Sequence, residues 1–261
     1  MEWWQSIVLG AVEGVTEYLP ISSTGHLILA ERALGIGDDE SSRAFAICIQ
    51  AGAIAAVLGL YLPRFRAMLA GSERALLGRL LVAFLPAAVI GLAAERWIDA
   101  RLFGLWPVVA AWFVGGAAIL VCVRGLRGGE RGLASIGTST ALAIGLFQCL
   151  ALWPGTSRSL ATIGGGLLLG LSMPAAVEFS LLLGLLTLTA ATAWKAVHHG
   201  HAMVAAYGIA SIALGFGVAA VTAWISVKWM VAWLERRGLA LFGWYRVVLA
   251  LAVAAWLLSR R

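Results

Sequence analysis

Two short polar runs in an otherwise apolar chain carry the residues whose types and spacing could perform chemistry. The first run, residues 13–26, places two carboxylates, three consecutive hydroxyls and a histidine within fourteen residues. The second run, residues 153–162, places four hydroxyls around one arginine. Carboxylates can hold a divalent cation, arginine can bind phosphate, and serine or histidine can attack phosphorus. Together the runs favour a metal-assisted phosphoryl transfer.

The two acids of the first run form a candidate metal site. Glu13 and Glu17 lie four residues apart, so on a helix they share one face at about 6 Å. Two ionised carboxylates at that spacing repel each other, and both are costly in lipid. A divalent cation relieves both problems, and oxygen ligands suit Mg²⁺ or Ca²⁺. The alternative is a solvated interfacial pair without a function; the hydroxyls that follow favour the metal.

Ser23 and His26 form a candidate nucleophile and base. They are three residues apart and share a helical face if the second helix begins near Pro20. A histidine within reach of a serine can act as its general base, or can itself attack phosphorus. Alternatively, Ser22, Ser23 and Thr24 cap a helix and His26 binds a backbone carbonyl. The neighbouring glutamates favour the catalytic interpretation.

Arg158 is the strongest single signal in the second run. A guanidinium in an apolar segment requires an anion, and this one follows Pro-Gly at the expected start of a helix, where backbone N–H groups favour anions. Arginine also binds phosphate through two parallel hydrogen bonds. An internal ion pair with Glu178, Glu13 or Glu17 is the alternative. That pair would leave unexplained the four surrounding hydroxyls, those of Thr156, Ser157, Ser159 and Thr162.

Other polar residues in apolar stretches have both functional and structural interpretations. Glu178 is a candidate for function because it lies in a span, but a structural role, either pairing with an arginine or capping broken backbone, is the favoured interpretation. Gln50 and Gln148 either line the same cavity or join helices through hydrogen bonds. Arg246 is expected to snorkel. Three histidines are expected in a solvated loop rather than at a metal: His198, His199 and His201.

The composition indicates that these residues are positioned by a protein dissolved in lipid. Of 261 residues, 61% are hydrophobic and 12% are charged, and the mean hydropathy is +0.92. Soluble domains are about 45–50% apolar and about 25% charged. The net charge of +6 is spread over short connections without a basic face, which argues against nucleic acid binding and for positive-inside topology.

The apolar segments predict an all-α polytopic membrane protein. Two regions, 1–35 and 136–171, are broken at their centres by the polar runs. Irregular backbone at membrane depth must be buried in protein or face a water-filled cavity, so each region is predicted to form a re-entrant helix–loop–helix pair. Six stretches of about 20 residues can cross a bilayer: those near 44–62, 79–95, 105–123, 175–195, 204–228 and 239–258.

The order of these segments predicts one integral membrane domain, residues 1–261, built from two repeats. A re-entrant pair followed by three spans occurs in 1–123 and again in 136–258. Because three spans are an odd number, the second copy begins on the opposite face of the membrane. An inverted-topology repeat follows, in which broken helices meet at the midplane.

The distribution of basic residues predicts the orientation. One side of the membrane carries ten: Arg64, Arg66, Arg74, Arg79, Arg124, Arg127, Arg131, Lys228, Arg236 and Arg237. The other carries seven: Arg32, Arg43, Arg96, Arg101, Lys195, Arg260 and Arg261. Asp38, Asp39, Glu40, Glu95 and Asp99 dilute the second set. The first set is therefore expected in the cytoplasm, with both termini and the first re-entrant pair opening outward.

Both polar runs resemble signatures of a known family, the undecaprenyl-diphosphate phosphatases of bacteria, often called the bacitracin-resistance proteins. Residues 13–26 (EGVTEYLPISSTGH) are similar to its first signature and residues 147–162 (FQCLALWPGTSRSLAT) to its second. The similarity extends along nearly the whole chain and includes residues 49–54 and 177–183.

The resemblance implies hydrolysis of a polyprenyl diphosphate to the monophosphate and phosphate, which recycles the lipid carrier for cell-wall synthesis. It implies that Glu13 and Glu17 bind the metal and that Ser23 and His26 supply the nucleophile and its base, with Ser23 favoured for attack. Arg158 would hold the diphosphate. The residues expected to bind substrate beside it are Ser22, Thr24, Gly25, Gly155, Thr156, Ser157, Ser159 and Thr162.

The same resemblance places the chain in the bacterial cytoplasmic membrane, and the distribution of basic residues predicts that the site opens to the outer side. The expected partners are the polyprenyl diphosphate and membrane lipids, with a homodimer left open and nucleic acid excluded. The main alternative is a transporter or flippase of prenyl phosphate, because inverted repeats with broken helices also build transporters. A transporter needs the arginine but not a nucleophile, so the Glu/Ser/His set favours the enzyme.

Overall fold

The computed structural model describes residues 2–37, 40–122 and 125–259, without the side chains of 40–44, 195 and 198–207. Within those ranges the chain forms helices and no β-strand. The ten α-helices are α1 (Trp3–Thr16), α2 (Ser23–Ala33), α3 (Glu40–Leu60), α4 (Leu62–Leu69), α5 (Arg74–Leu102), α6 (Leu105–Val121), α7 (Thr138–Gln148), α8 (Arg158–Leu168), α9 (Met173–Arg237) and α10 (Ala240–Leu258).

Several of these helices are long and apolar enough to cross a membrane, which confirms the prediction of an all-α polytopic membrane protein. Four segments in the described part of the chain meet that requirement: Arg74–Leu102, Met173–Trp194, Gly208–Arg237 and Ala240–Leu258. The bent pair of α3 and α4 gives a fifth, with 75° between Phe45–Leu60 and the helix that follows. Helix α6 is apolar but has 17 residues. The count of six spans therefore stays a prediction.

Helix α9 contains two of the predicted spans. Gly208 interrupts its helical geometry with φ 70° and ψ 154°, a conformation that glycine adopts without the steric cost of a side chain. The region around His198, predicted to be a loop, is instead helical up to this glycine. The side chains of His198, His199 and His201 lie outside the described residues.

Both regions predicted to be re-entrant are broken helices. Helices α1 and α2 are separated by residues 17–22, and α7 and α8 by a short 3₁₀ turn, Cys149–Leu152, and the loop that follows. These breaks coincide with the two polar runs, which is compatible with re-entrant pairs. The orientation stays a prediction, and several charged residues on which it rests lie outside the described residues or side chains: Asp38, Asp39, Glu40, Arg43, Arg124, Lys195, Arg260 and Arg261.

The helix order repeats with a constant spacing along the chain. Ser22 and Ser157 precede α2 and α8, an offset of 157 − 22 = 135 residues. The same offset carries Leu105, the first residue of α6, to residue 240, the first of α10. It also carries Arg74, the first residue of α5, to residue 209, beside the break in α9. This spacing is compatible with two copies of one unit; the two repeats and their opposite orientation stay predictions.

Equivalent glycines bring the two copies into contact. Helix α1 packs on the second half of α9, and its counterpart α7 packs on α5. A Cβ added to Gly10 would lie 2.5 Å from the carbonyl oxygen of Gly215, and one added to Gly145 would lie 2.4 Å from that of Ala83. Small residues permit such close approach between membrane helices. Each broken helix is thereby held against a long helix of the other copy.

Candidate active site

The two polar runs meet at the carboxylate of Glu17. Glu17 ends α1, Ser23 is the first residue of α2, and Arg158 is the first residue of α8. The hydroxyl of Ser23 donates a hydrogen bond to Oε2 of Glu17, and a terminal nitrogen of Arg158 lies 3.8 Å from Oε1 of Glu17. The side chains of Arg158 and Glu17 are only 10% and 6% exposed. One carboxylate thus contacts a hydroxyl from its own loop and a cation from the other.

Glu13 lies one turn before Glu17 on α1 and is 1% exposed. Neither of its carboxylate oxygens has a hydrogen-bond partner in the described part of the chain. A buried carboxylate without a partner is costly, so this group requires a proton or a cation. Two glutamates one turn apart supply oxygen ligands of the kind that Mg²⁺ and Ca²⁺ prefer.

The glutamate pair can hold a divalent cation only as part of a larger ligand set. No group of three or more His, Cys, Asp and Glu side chains that could hold a metal occurs among the described residues. Mg²⁺ commonly takes one or two carboxylates together with substrate phosphates. The orphaned oxygens of Glu13 fit such a site, with remaining ligands from other oxygens.

The guanidinium of Arg158 has free hydrogen-bond donors beside Glu17. One terminal nitrogen donates to the backbone carbonyl of Ser180 at 3.1 Å, and the group lies over the ring of Tyr18 at 5.4 Å. Its Nε and second terminal nitrogen make no hydrogen bond to the described residues. Because these two donors lie on one edge of the planar group, they can bind a phosphate through two parallel bonds. The second terminal nitrogen also lies near Glu17, the ion pair named as the alternative, so phosphate binding by Arg158 stays a prediction.

Gly184, which no sequence motif marks, makes room for Arg158. A Cβ added to Gly184 would lie 1.8 Å from a terminal nitrogen of the guanidinium. Any other residue at position 184 would displace the arginine. The sequence carries no local signal for this role, because the contact joins α8 to a helix whose register on α8 is set by tertiary packing.

Both ring nitrogens of His26 contact groups other than Ser23. Nδ1 lies 2.6 Å from the carbonyl oxygen of Ser22, and Nε2 lies 2.8 Å from the hydroxyl of Tyr245. A neutral ring that donates from Nδ1 must accept at Nε2, so Tyr245 is the donor. Trp112 contacts the ring from another side, with 5.1 Å between centroids. The contact with a backbone carbonyl was the alternative interpretation of His26, and its role as a base stays a prediction.

Hydroxyls of the second run join the two loops. Ser157 and Ser159 both donate to the carbonyl of Leu19, at 3.3 and 3.0 Å. Thr162 donates to the carbonyl of Arg158 at 2.9 Å and pairs with the hydroxyl of Ser180 at 2.6 Å. These bonds hold Arg158 against the first loop. Substrate binding by the three hydroxyls stays a prediction.

The remaining predicted substrate-binding residues of the first run lie at the start of α2. The hydroxyl of Ser22 accepts from the backbone N–H of Gly25 at 3.5 Å and caps the helix. Thr24 is half-buried in the first turn. A Cβ on Gly25 would lie 2.5 Å from the ring of Trp112, so this glycine permits α2 to pack against α6. Gly155 and Thr156, from the second run, instead accept hydrogen bonds from Arg246 through their backbone carbonyls.

Arg246 does not snorkel, contrary to expectation. Its side chain is 0% exposed, because its guanidinium lies between the two broken loops. A Cβ on Gly115 would lie 2.3 Å from one of its terminal nitrogens, so α6 leaves space for it. The guanidinium donates to four backbone carbonyls, those of Pro20 (3.3 Å), Ala111 (2.8 Å), Gly155 (3.0 Å) and Thr156 (3.1 Å). Arg246 therefore joins both loops to α6.

The other polar residues in the spans contact partners within the protein. Glu178 accepts from Nε of Arg64 at 2.8 Å, and Arg64 also binds Glu73 at 2.5 Å. Glu178 is thus paired away from Arg158. The two amides join helices: Gln50 accepts from Thr192 at 2.9 Å, and Gln148 accepts from Thr187 at 3.3 Å.

Comparison with known proteins gives consistent matches along the chain. Residues 6–252 match the family described as bacitracin resistance protein BacA. A protein of Sorangium cellulosum named undecaprenyl-diphosphatase is 43% identical over 98% of this chain and 87% of its own length. A protein of Chromobacterium violaceum named undecaprenyl-diphosphatase 1 is 42% identical, over 96% of this chain and 94% of its own. A third, undecaprenyl-diphosphatase of Rhizorhabdus wittichii, is 42% identical over 97% of both chains.

Proposed function

Because this chain belongs to the bacitracin resistance protein BacA family, we propose that it hydrolyses undecaprenyl diphosphate to the monophosphate and inorganic phosphate within the membrane. The observation that carries the proposal is the hydrogen bond from Ser23 to Glu17 beside the free donors of Arg158. A hydroxyl, a proton acceptor and a phosphate-binding cation therefore lie together. The printed names of the relatives support the substrate.

We propose the following role for each of these groups. Ser23 Oγ attacks the terminal phosphorus, its proton passes to Glu17, and the bond to the bridging oxygen breaks with release of polyprenyl monophosphate. Nε and a terminal nitrogen of Arg158 stabilise the charge on the transferred phosphoryl group. Glu17 gives that proton to the departing monophosphate. Water then attacks the phosphoserine and gives a proton to Glu17, which passes it to the Ser23 oxygen as inorganic phosphate leaves.

His26 has a positioning role beside this step. It lies on α2 one turn from Ser23, and its ring is fixed by Ser22 and Tyr245. The hydrogen bond from Ser23 to Glu17 makes Glu17 the nearest proton acceptor. An attack by His26 itself would leave a phosphohistidine instead of a phosphoserine, and the two are distinguishable.

We also propose a divalent cation, Mg²⁺ or Ca²⁺, held by Glu13 and Glu17. The orphaned carboxylate oxygens of Glu13 support it. When bound, the ion would neutralise negative charge on the diphosphate. Glu17 would then serve both the ion and Ser23 through its two oxygens, which links metal binding to the position of the nucleophile.

The proposed location is the cytoplasmic membrane of a bacterium, with the site open to the outer face. The excess of basic residues in the three connections on one side supports this orientation. The substrate and surrounding membrane lipids are the proposed partners. A flippase is less well supported, because transport needs Arg158 but has no use for a serine hydrogen-bonded to a carboxylate.

The proposal is tested by phosphate release from undecaprenyl diphosphate by the protein purified in detergent, with and without EDTA. We expect release that EDTA stops and that Mg²⁺ or Ca²⁺ restores. Ser23→Ala is expected to abolish it, while Ser6→Ala, a buried serine of the same helix pair outside the site, retains it. An absence of release under every metal condition would refute the phosphatase.

A further inference from the structure

A lateral groove of about 480 Å³ lies beside the first broken loop. We propose that it binds the prenyl chain of the substrate next to the diphosphate, an inference that rests on the proposed function. Its walls come from the end of α1, the first loop, the second half of α9 and α10. The lining residues that matter here are Leu19, Ile21, Ile225, Trp229, Leu241 and Tyr245.

The groove and the candidate active site share one wall. Leu19 and Ile21 line the groove and are 6% and 5% exposed. The carbonyl of Leu19 accepts hydrogen bonds from Ser157 and Ser159, on either side of Arg158. The side chains of the loop thus face the groove while its backbone contacts the anion-binding run. A molecule that fills both places must carry an anionic head directly attached to an apolar chain.

The chemistry of the lining selects a hydrocarbon occupant. No charged side chain lines the groove among the described residues. Three of its hydroxyls donate to backbone carbonyls: Thr16 to Val12 (2.6 Å), Thr222 to Val218 (2.8 Å) and Ser226 to Gly14 (2.9 Å). Tyr245 uses its hydroxyl for His26. The groove therefore presents apolar surface to an occupant, with no group that would recognise a headgroup or an ion.

Tyr245 marks the end of the groove at which the diphosphate would begin. Its ring lines the groove, while its hydroxyl lies 2.8 Å from Nε2 of His26. His26 is one turn from Ser23 on α2. A chain whose first carbon atoms pass Tyr245 would place its diphosphate on the side of the loop where Ser23 and Arg158 lie.

The volume and solvent exposure of the groove limit how much of the prenyl chain it can bind. Its volume falls at the lower end of small-molecule pockets, about 300–1,000 Å³, so it can hold only the first isoprene units of a long chain. Ile225 and Trp229 on its rim are 62% and 45% exposed, so the rest of the chain can continue into the bilayer. The groove would then select for prenyl character close to the diphosphate and tolerate different chain lengths.

Photolabelling of the intact protein tests this location directly. The probe is farnesyl diphosphate with a diazirine in its first two isoprene units. Ile225→Trp fills the groove, and Val221→Trp is its matched control, because Val221 lies one turn earlier on α9, outside the lining, and is 60% exposed against 62%.

We expect adducts on peptides that contain Ile225, Trp229 or Leu241, and we expect unlabelled undecaprenyl diphosphate to compete with them. Ile225→Trp should lower the labelling and raise KM about tenfold, the scale of a few lost methylene contacts, with kcat little changed. Val221→Trp should change neither.

Three outcomes would contradict prenyl binding in the groove. They are adducts confined to α5 or α6, an equal loss of labelling in both tryptophan variants, and equal competition by phosphatidylethanolamine, which would indicate an ordinary lipid contact. Phosphate release from the probe is measured in the same samples. Phosphate release with labelling elsewhere would refute prenyl binding in the groove but not the phosphatase activity. Labelling of the groove without phosphate release would refute the phosphatase activity but not prenyl binding.

Discussion

Ser22 and Ser157, which lie 157 − 22 = 135 residues apart, adopt the same left-handed backbone conformation, with φ 73° at each. They are the non-glycine residues with positive φ in the described part of the chain. Each caps the helix that follows through its own hydroxyl. A left-handed serine costs about 1 kcal/mol or more and persists where the surrounding structure imposes it.

This shared turn places different chemistry at equivalent positions. The next residue is Ser23 in the first copy and Arg158 in the second. Each is the first residue of an 11-residue helix, where the helix dipole favours an anion. The same strained turn occurs twice, and it places the proposed nucleophile and the proposed phosphate-binding cation beside Glu17.

Ser23→Ala should abolish turnover, with kcat lower by about a thousandfold or more, since removal of a nucleophile leaves only binding and electrostatic contributions. In the wild type, a rapid acid quench during turnover of substrate carrying ³²P in the terminal phosphate should trap acid-stable phosphoserine on a peptide containing Ser23. An acid-labile, alkali-stable label on His26 would reverse the assignment of nucleophile and positioning residue.

Arg158→Lys should keep the charge but lose the two parallel donors of the guanidinium. We expect kcat to fall by roughly 10²–10³, as for loss of one transition-state donor, while the thermal unfolding temperature stays close to that of wild type. Arg64→Lys is the matched control, because Arg64 also pairs with a glutamate but lies away from the site. Equal losses in both variants would contradict a phosphate-binding role.

Glu13→Gln should weaken metal activation without removing the shape of the side chain. The concentration of Mg²⁺ or Ca²⁺ for half-maximal activity should rise about tenfold or more. In EDTA the variant should unfold at a higher temperature than wild type, because the amide removes a buried carboxylate without a partner. Glu178→Gln, whose wild-type carboxylate pairs with Arg64, should not shift metal activation. An unchanged metal requirement in Glu13→Gln would place the ion elsewhere.

The polar runs could be predicted to converge because their spacing, helix breaks and apolar flanks are all local properties of the sequence. The contacts between side chains within the site could not be predicted from the sequence. The partner of Ser23 is Glu17 rather than His26 because the loop between α1 and α2 turns at Ser22, and periodicity does not report that turn. Tyr245 and Gly184 lie far along the chain from their partners, so only tertiary packing reveals them.

The burial of Arg246 could not be predicted from the sequence either. Next to Tyr245 in an apolar helix, it is typical of a residue that snorkels. In the structure it is buried, and four backbone carbonyls from the broken loops and α6 accept hydrogen bonds from its two terminal nitrogens. Three of those carbonyls, from Pro20, Gly155 and Thr156, lie in the two loops that leave helical geometry, and a sequence pattern does not specify where such carbonyls point.

Gly115→Ala tests whether Arg246 positions the two loops for catalysis. The new Cβ would lie 2.3 Å from a terminal nitrogen of Arg246, so the guanidinium must shift and its bonds to the loops must lengthen. Displacement of catalytic groups by about 1 Å can cost up to about a hundredfold in rate, so we expect kcat to fall roughly ten- to a hundredfold with little change in KM. Gly217→Ala is the matched control, since a Cβ there meets nothing within 4 Å. Arg246 would be a purely structural residue if both alanine variants kept wild-type kcat, or if kcat and the unfolding temperature fell together in Gly115→Ala and a cooler assay restored the rate.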